Sequence, residues 1–166
     1  SDKNTGYKII SSPEEYRDIA PSYFHNTVFD SEVARVVTFT NPQVKEFNDI
    51  NHYELNGRSI TEPFKVGDCI TGYNTIIARK YYAFKNSQHT HMNVTKRGDP
   101  KKILDKKDFD LAYAITTHKS QGMTVETVFV YLEGYKMVSH NVDFYNRLLY
   151  VALSRASKFI YILKFT

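Results

Sequence analysis

The run ARVVTFT at residues 34–40, followed at once by NP, constrains the fold more than any other stretch. Its Val and Thr residues stiffen the backbone toward an extended conformation and suit a buried strand. Asn41 is placed to cap a helix that Pro42 begins. That helix carries Val44, Phe47, Ile50 and Leu55 on one broad face and ends near Gly57. Strand, turn and helix in this order make up one unit of a parallel α/β layer.

The same grammar recurs at both ends of the chain. GYKII (6–10) reads as a short strand. SSPEEYRDIA follows with a helix start: Ser12 as N-cap, Pro13 at the first helical position, Glu15 three residues on and Pro21 as the stop. Further along, DLAYAI (110–115) and TVFVYL (127–132) read as strands, DFYNRLLYVALSRA (143–156) as an amphipathic helix and FIYILKF (159–165) as the last strand. Phe144, Leu148, Val151, Ala152 and Ala156 keep helical spacing and form the inner face of that helix. Between about 58 and 107 the pattern changes to short β-like runs, FKVGDCITGYN, TIIARKYYAF and HMNVTKR, separated by turn signals. This segment reads as a small antiparallel insertion.

A chain of 166 residues fits one domain with such an insertion. No apolar run approaches the roughly 18 residues of a membrane span, and the first ten residues carry no apolar signal region, so the expectation is a protein with no membrane partner. Cys69 is the only cysteine and cannot form an internal disulfide, which fits a reducing compartment. A net charge of +4 suits a polyanion partner, although many enzymes without one share it. Thirteen Tyr and eleven Phe supply rings that could stack on bases or simply fill a core.

Two polar clusters stand at the ends of these elements. TTHKSQGMT (116–124) lies between two apolar runs. Its Thr and His can donate to phosphate oxygens, Lys119 adds charge, and Gly122 allows close backbone approach; a helix cap plus a turn would use the same residue types. In YVALSRA (150–156), Arg155 either pairs with the carboxyl end of its helix or projects into a cleft to bind a terminal phosphate. Arg79, Lys80, Tyr81 and Tyr82 form a basic-aromatic patch that fits a nucleic-acid strand or a solvated hairpin edge. His89 and His91 have no third ligand nearby in sequence, so no metal is assigned.

Taken together, AYAITTHKSQGMT and LLYVALSRA resemble motifs V and VI of superfamily 1 helicases, most closely the Pif-type, RecD-like and phage Dda-like branch. VVTFTNPQVKEFNDINHYELNG resembles the opening of the second RecA-like domain of that branch, and FKVGDCI the start of the small β-barrel-like insertion inside it. The resemblance spans about residues 34–166. It implies an α/β, RecA-like parallel sheet flanked by helices over residues 1–57 and 108–166, with an inserted antiparallel, SH3-like subdomain over 58–107.

By that resemblance, Arg155 would be an arginine finger on the γ-phosphate of ATP, with Gln121 and Gly122 near the nucleotide. Thr117, His118 and Lys119 would face the nucleic-acid backbone. Thr40 and Asn41 would add another contact, a plain N-cap being the other reading of Asn41. The UvrD-like relatives carry an acidic residue two places after the motif V glycine; here that place is Thr124, so no carboxylate contact to ribose is implied. No G-x-x-x-x-G-K-[ST] stretch is present. The expectation is therefore a C-terminal part that works with an N-terminal RecA-like domain supplying the phosphate cradle and the Mg2+ ligands, and that does not hydrolyse ATP alone. The implied activity is that of a monomeric, cytoplasmic bacterial, phage or viral 5′–3′ helicase on single-stranded DNA. A non-catalytic nucleic-acid-binding or protein-docking module, or an RNA substrate, is the alternative.

Overall fold

The β-branched run forms strand β2 (Ala34–Thr38), buried along its whole length. A strand paired on both edges and covered on both faces is mostly apolar, and its polar side chains are bonded internally: Arg35 Nη1 donates to the Ala34 carbonyl and Thr38 Oγ1 to Gln43. The computed structural model describes residues 5–24, 33–65, 68–72, 81–82 and 109–166. Their main element is a five-stranded sheet in the order β1 (Gly6–Ile10), β8 (Ala156–Leu163), β7 (Val125–Tyr131), β2 and β6 (Ala114–Thr116), with every pairing parallel. Helices cover both faces, so the α/β layer expected from the sequence is the observed architecture.

One face carries Ala34, Val36, Ala114, Phe129 and Tyr161. Against it pack α1 (Pro13–Ile19), the short α2 (Pro21–Phe24) and α3 (Asn41–Asn56), through Tyr16, Phe24 and Phe47. Phe129 and Tyr161, directly opposed on β7 and β8, stack at 4.7 Å, and Tyr16 meets Phe129 and Phe47 edge-on. Such edge and offset ring contacts add to the burial of a core already rich in aromatics. The other face carries Val37, Val128 and Val130. It is covered by a 3-10 segment, Leu132–Val138, and by α5 (Val142–Leu153), with Tyr135, Leu148 and Ala152 buried beneath them.

Helix ends follow their local chemistry. Ser12 caps α1 by accepting the Glu15 backbone N–H at 3.1 Å, as expected. The Glu15 carboxylate reaches back one residue further than a standard capping box, to the N–H of Ser11. Pro21 follows α1 and opens α2. For α3 the expected cap shifts by one: Thr40 is the N-cap and Asn41 the first helical residue, because Gln43 accepts the Thr40 backbone N–H at 3.2 Å. Gly57, at φ +99°, ends the helix. On α5 the inner face is Leu148 and Ala152, with Phe144 and Val151 half-buried, while Ala156 already begins β8.

DLAYAI is two strands rather than one. Phe109–Leu111 forms β5 of a second, antiparallel sheet with β3 (Cys69–Gly72) and β4 (Tyr81–Tyr82), and only Ala114–Thr116 joins the main sheet. The hand-over is made at Ala112, whose N–H donates to Cys69, and at Tyr113, whose carbonyl accepts from Val36. Arg79, Lys80, His89 and His91 lie outside the described residues, as does most of the expected insertion.

The two sheets are tied by a buried polar node. Asp68 accepts Asn56 Nδ2 and the Tyr113 hydroxyl on one oxygen, at 2.9 and 2.7 Å, and the Lys65 N–H and His52 Nδ1 on the other, at 2.7 and 2.8 Å. His52 Nε2 meets the Glu62 carbonyl at 2.9 Å. A carboxylate removed from water needs this many partners to be tolerated. Burial, with Asp68 beside it, pushes the Tyr113 phenol up, so it stays a donor. Among the described residues no helix is long and apolar enough to cross a membrane.

Candidate nucleotide and nucleic-acid site

The cluster at 116–124 is a crossover. β6 and β7 both run parallel to β2 and flank it, so the chain leaving Thr116 must return across one face of the sheet to reach Val125. It does so through a single helical turn, α4 (Thr117–Ser120), capped by Thr116 Oγ1 accepting the Lys119 N–H at 3.3 Å. A turn closed by Met123 N–H on the Ser120 carbonyl follows. Gly122 sits in that turn at φ +81°, a left-handed conformation that a side chain would strain. Both readings of this loop, a cap plus turn and an exposed polar surface, are therefore present in one segment.

His118, Lys119, Gln121 and Gly122 are exposed. Thr117 is not: it is 1% exposed, and its hydroxyl donates to the Thr38 carbonyl at 3.1 Å and lies 2.6 Å from the Tyr135 hydroxyl. The expectation that Thr117 itself faces a nucleic-acid backbone is corrected by this placement; it holds the loop that presents its neighbours. Thr40 and Asn41 follow the end of β2, and Thr38 pairs in register with Thr116, so the 39–41 turn and the start of the crossover lie side by side above the same sheet edge. Thr40 is half-buried and Asn41 exposed.

Arg155 holds the far end of the crossover. Its Nε donates to the Val151 carbonyl at 2.8 Å, which is the helix-end pairing weighed from the sequence. Its Nη1 reaches the carbonyls of Met123 and Ser120 at 3.2 and 3.4 Å, and Nη2 meets Ser154 Oγ at 2.9 Å. The planar fork thus binds α5 and the crossover together, using geometry that a lysine lacks. The two sequence clusters meet at this one side chain. Because Ala156 pairs with Val125 at the opening of β8 and β7, this contact lies at the opposite sheet edge from Thr117. The crossover is fixed at both ends, by Thr117 on one edge and Arg155 on the other.

Sequence reasoning missed the residues beneath the loop. Tyr135 is fully buried, and burial pushes its phenol up to about 12. Gln43 Oε1 accepts both Thr38 Oγ1, at 2.7 Å, and the Thr40 N–H. It lies where a side chain on Gly134 would be: a Cβ there would sit 2.5 Å from Gln43 Oε1. The glycine in LEGY marks the spot in the sequence, but nothing nearby says what fills the space it leaves. Among the described residues no group of three His, Cys, Asp or Glu is positioned to hold a metal ion.

Residues 111–163 match the family model described as UvrD-like helicase C-terminal domain. The match runs from the end of β5 through the crossover and α5 to the end of β8, and so contains both clusters and the Arg155 contact between them. It supports a helicase C-terminal domain of superfamily 1. No protein of curated function matches the chain.

Proposed function

We propose that the chain is the C-terminal motor domain of an ATP-dependent helicase that tracks single-stranded DNA in the 5′–3′ direction, in the Pif-type, RecD-like and Dda-like branch. The observation that carries this reading is the crossover at 117–124. It exposes His118 and Lys119 near one sheet edge and is bonded to Arg155 at the other. A segment with charge for a phosphate backbone at one end and an arginine at the other is suited to couple two ligands.

In this reading an N-terminal RecA-like domain, with the phosphate cradle and magnesium ligands, faces the Arg155 edge across an ATP-binding cleft. The guanidinium leaves the carbonyls of Ser120 and Met123 for the γ-phosphate when the cleft closes, and there it stabilises charge that develops during transfer. Gln121 and Gly122, next to those carbonyls, are the residues whose position changes with the nucleotide. His118 and Lys119, with Thr40 and Asn41 beside them, contact the strand without reading its sequence.

ATP hydrolysis by the complete natural protein, with and without single-stranded DNA, tests the reading. DNA should stimulate the parent, and Arg155→Ala should lower turnover by about a thousandfold or more while nucleotide still binds. A parent that binds DNA without DNA-stimulated hydrolysis would instead be a non-catalytic binding module. Unwinding only of substrates with a 3′ tail would reverse the polarity, and preference for RNA would change the substrate.

A further inference from the structure

The two stretches proposed to contact nucleic acid, 40–41 and 118–119, come from different parts of the chain. β2 and β6 align their starting points, but strand pairing ends at Thr38 and Thr116. Beyond that register, something else must fix one turn relative to the other. A backbone-binding surface depends on such alignment, since misplacing a contact by an ångström removes most of its value.

The 3-10 segment that follows β7 supplies the missing connection. Thr117 Oγ1 spends its proton on the Thr38 carbonyl, so in the 2.6 Å contact with Tyr135 the phenol is the donor. Tyr135 therefore completes a chain from the 3-10 segment through Thr117 to β2. One residue earlier, the absence of a side chain on Gly134 admits the Gln43 amide, whose oxygen takes Thr38 Oγ1 and the Thr40 N–H. One short segment thus braces the crossover with a hydroxyl and the 39–41 turn with a space.

Resting on the function proposed above, we propose that Leu132–Val138 is a positioning element of the nucleic-acid edge, in which Tyr135 and Gly134 hold residues 117–119 and 40–41 in one fixed arrangement. Neither residue touches the strand. Their effect passes through Thr117 and Gln43 to the exposed His118, Lys119 and Asn41.

Tyr135→Phe removes the donor at almost constant volume. In the complete natural protein, the concentration of oligo(dT) that half-saturates ATPase stimulation should rise about three- to tenfold, with turnover at saturating oligo(dT) unchanged. Thr117→Val, which also removes the bond to the Thr38 carbonyl, should raise it at least as much and Thr117→Ser much less. The double variant Thr117→Val/Tyr135→Phe should be no worse than Thr117→Val alone, because Thr117→Val already removes the link that Tyr135→Phe removes. Lys119→Ala serves as the control for the parent reading. If Lys119→Ala weakens DNA and Tyr135→Phe leaves half-saturation at the parent value, the proposal fails and the helicase reading stands. Reduced turnover with unchanged half-saturation would make Tyr135 a stability residue only. If oligo(dT) neither binds nor stimulates the parent, the underlying reading fails and takes the proposal with it.

Discussion

A single atom decides what Gly134 can be. Adding a Cβ brings it to 2.5 Å from Gln43 Oε1 and 2.7 Å from Thr38 Oγ1, both already hydrogen-bonded. Gly134→Ala should therefore lower stability by about 1–3 kcal/mol, measured by urea unfolding, as overpacking of a fixed interior does. Gly122→Ala meets nothing within 4 Å and is disfavoured only by its positive φ. Its cost should be about 1 kcal/mol, in the same measurement. At this scale, Arg155 and the residues of HKSQG were legible because their types and spacing carry a pattern. Gln43, Gly134 and Tyr135 were not, since each acts through a neighbour distant in sequence. Thr117 was legible as important but not in its orientation: a hydroxyl at the end of a strand serves a ligand or a carbonyl equally well, and packing under Tyr135 settled it for the carbonyl.

Between elements, the strongest dependency is the Asp68 node joining α3, the 57–68 connection and Tyr113. Asp68→Asn puts an amide N–H among groups that all donate to the carboxylate, and leaves His52 facing no charge. It should destabilise by about 3–5 kcal/mol, and hydrogen exchange in β3 and β5 should accelerate more than in β7. The continuous apolar runs made most strands readable, because a strand covered on both faces has no alternation to hide. DLAYAI misled for the same reason: Ala112 and Tyr113 interrupt pairing without a Gly or Pro to announce it, and the change of sheet depends on Cys69, far away in sequence. The one-residue shift of the α3 cap likewise turned on Gln43, which competes for the backbone N–H that an Asn41 cap would have left bare.

Across the whole molecule, buried phenols set an alkaline limit. Tyr16, Tyr113 and Tyr135 all have their ionisation pushed up by burial, Tyr135 to about 12. Folding favours the protonated form, so this stability is complete below the ordinary phenol value near 10 and is lost as pH rises toward 12, by about 1.4 kcal/mol per pH unit for each such group. Tyrosinate absorbance should accordingly rise in more than one step, the first without cooperativity. A second step should coincide with loss of circular dichroism. A single smooth titration with no structural step would contradict the burial described. The sheet order carries a consequence in time as well as in space. Among the described residues β1 has one neighbour, β8, with Gly6 opposite Phe159. During synthesis β1 therefore emerges long before the strand it pairs with, and the sheet cannot close at that edge until β8 has followed. Ile10, fully buried in the finished sheet, is in water meanwhile, an interval in which a slow, non-local pairing is most open to a wrong partner.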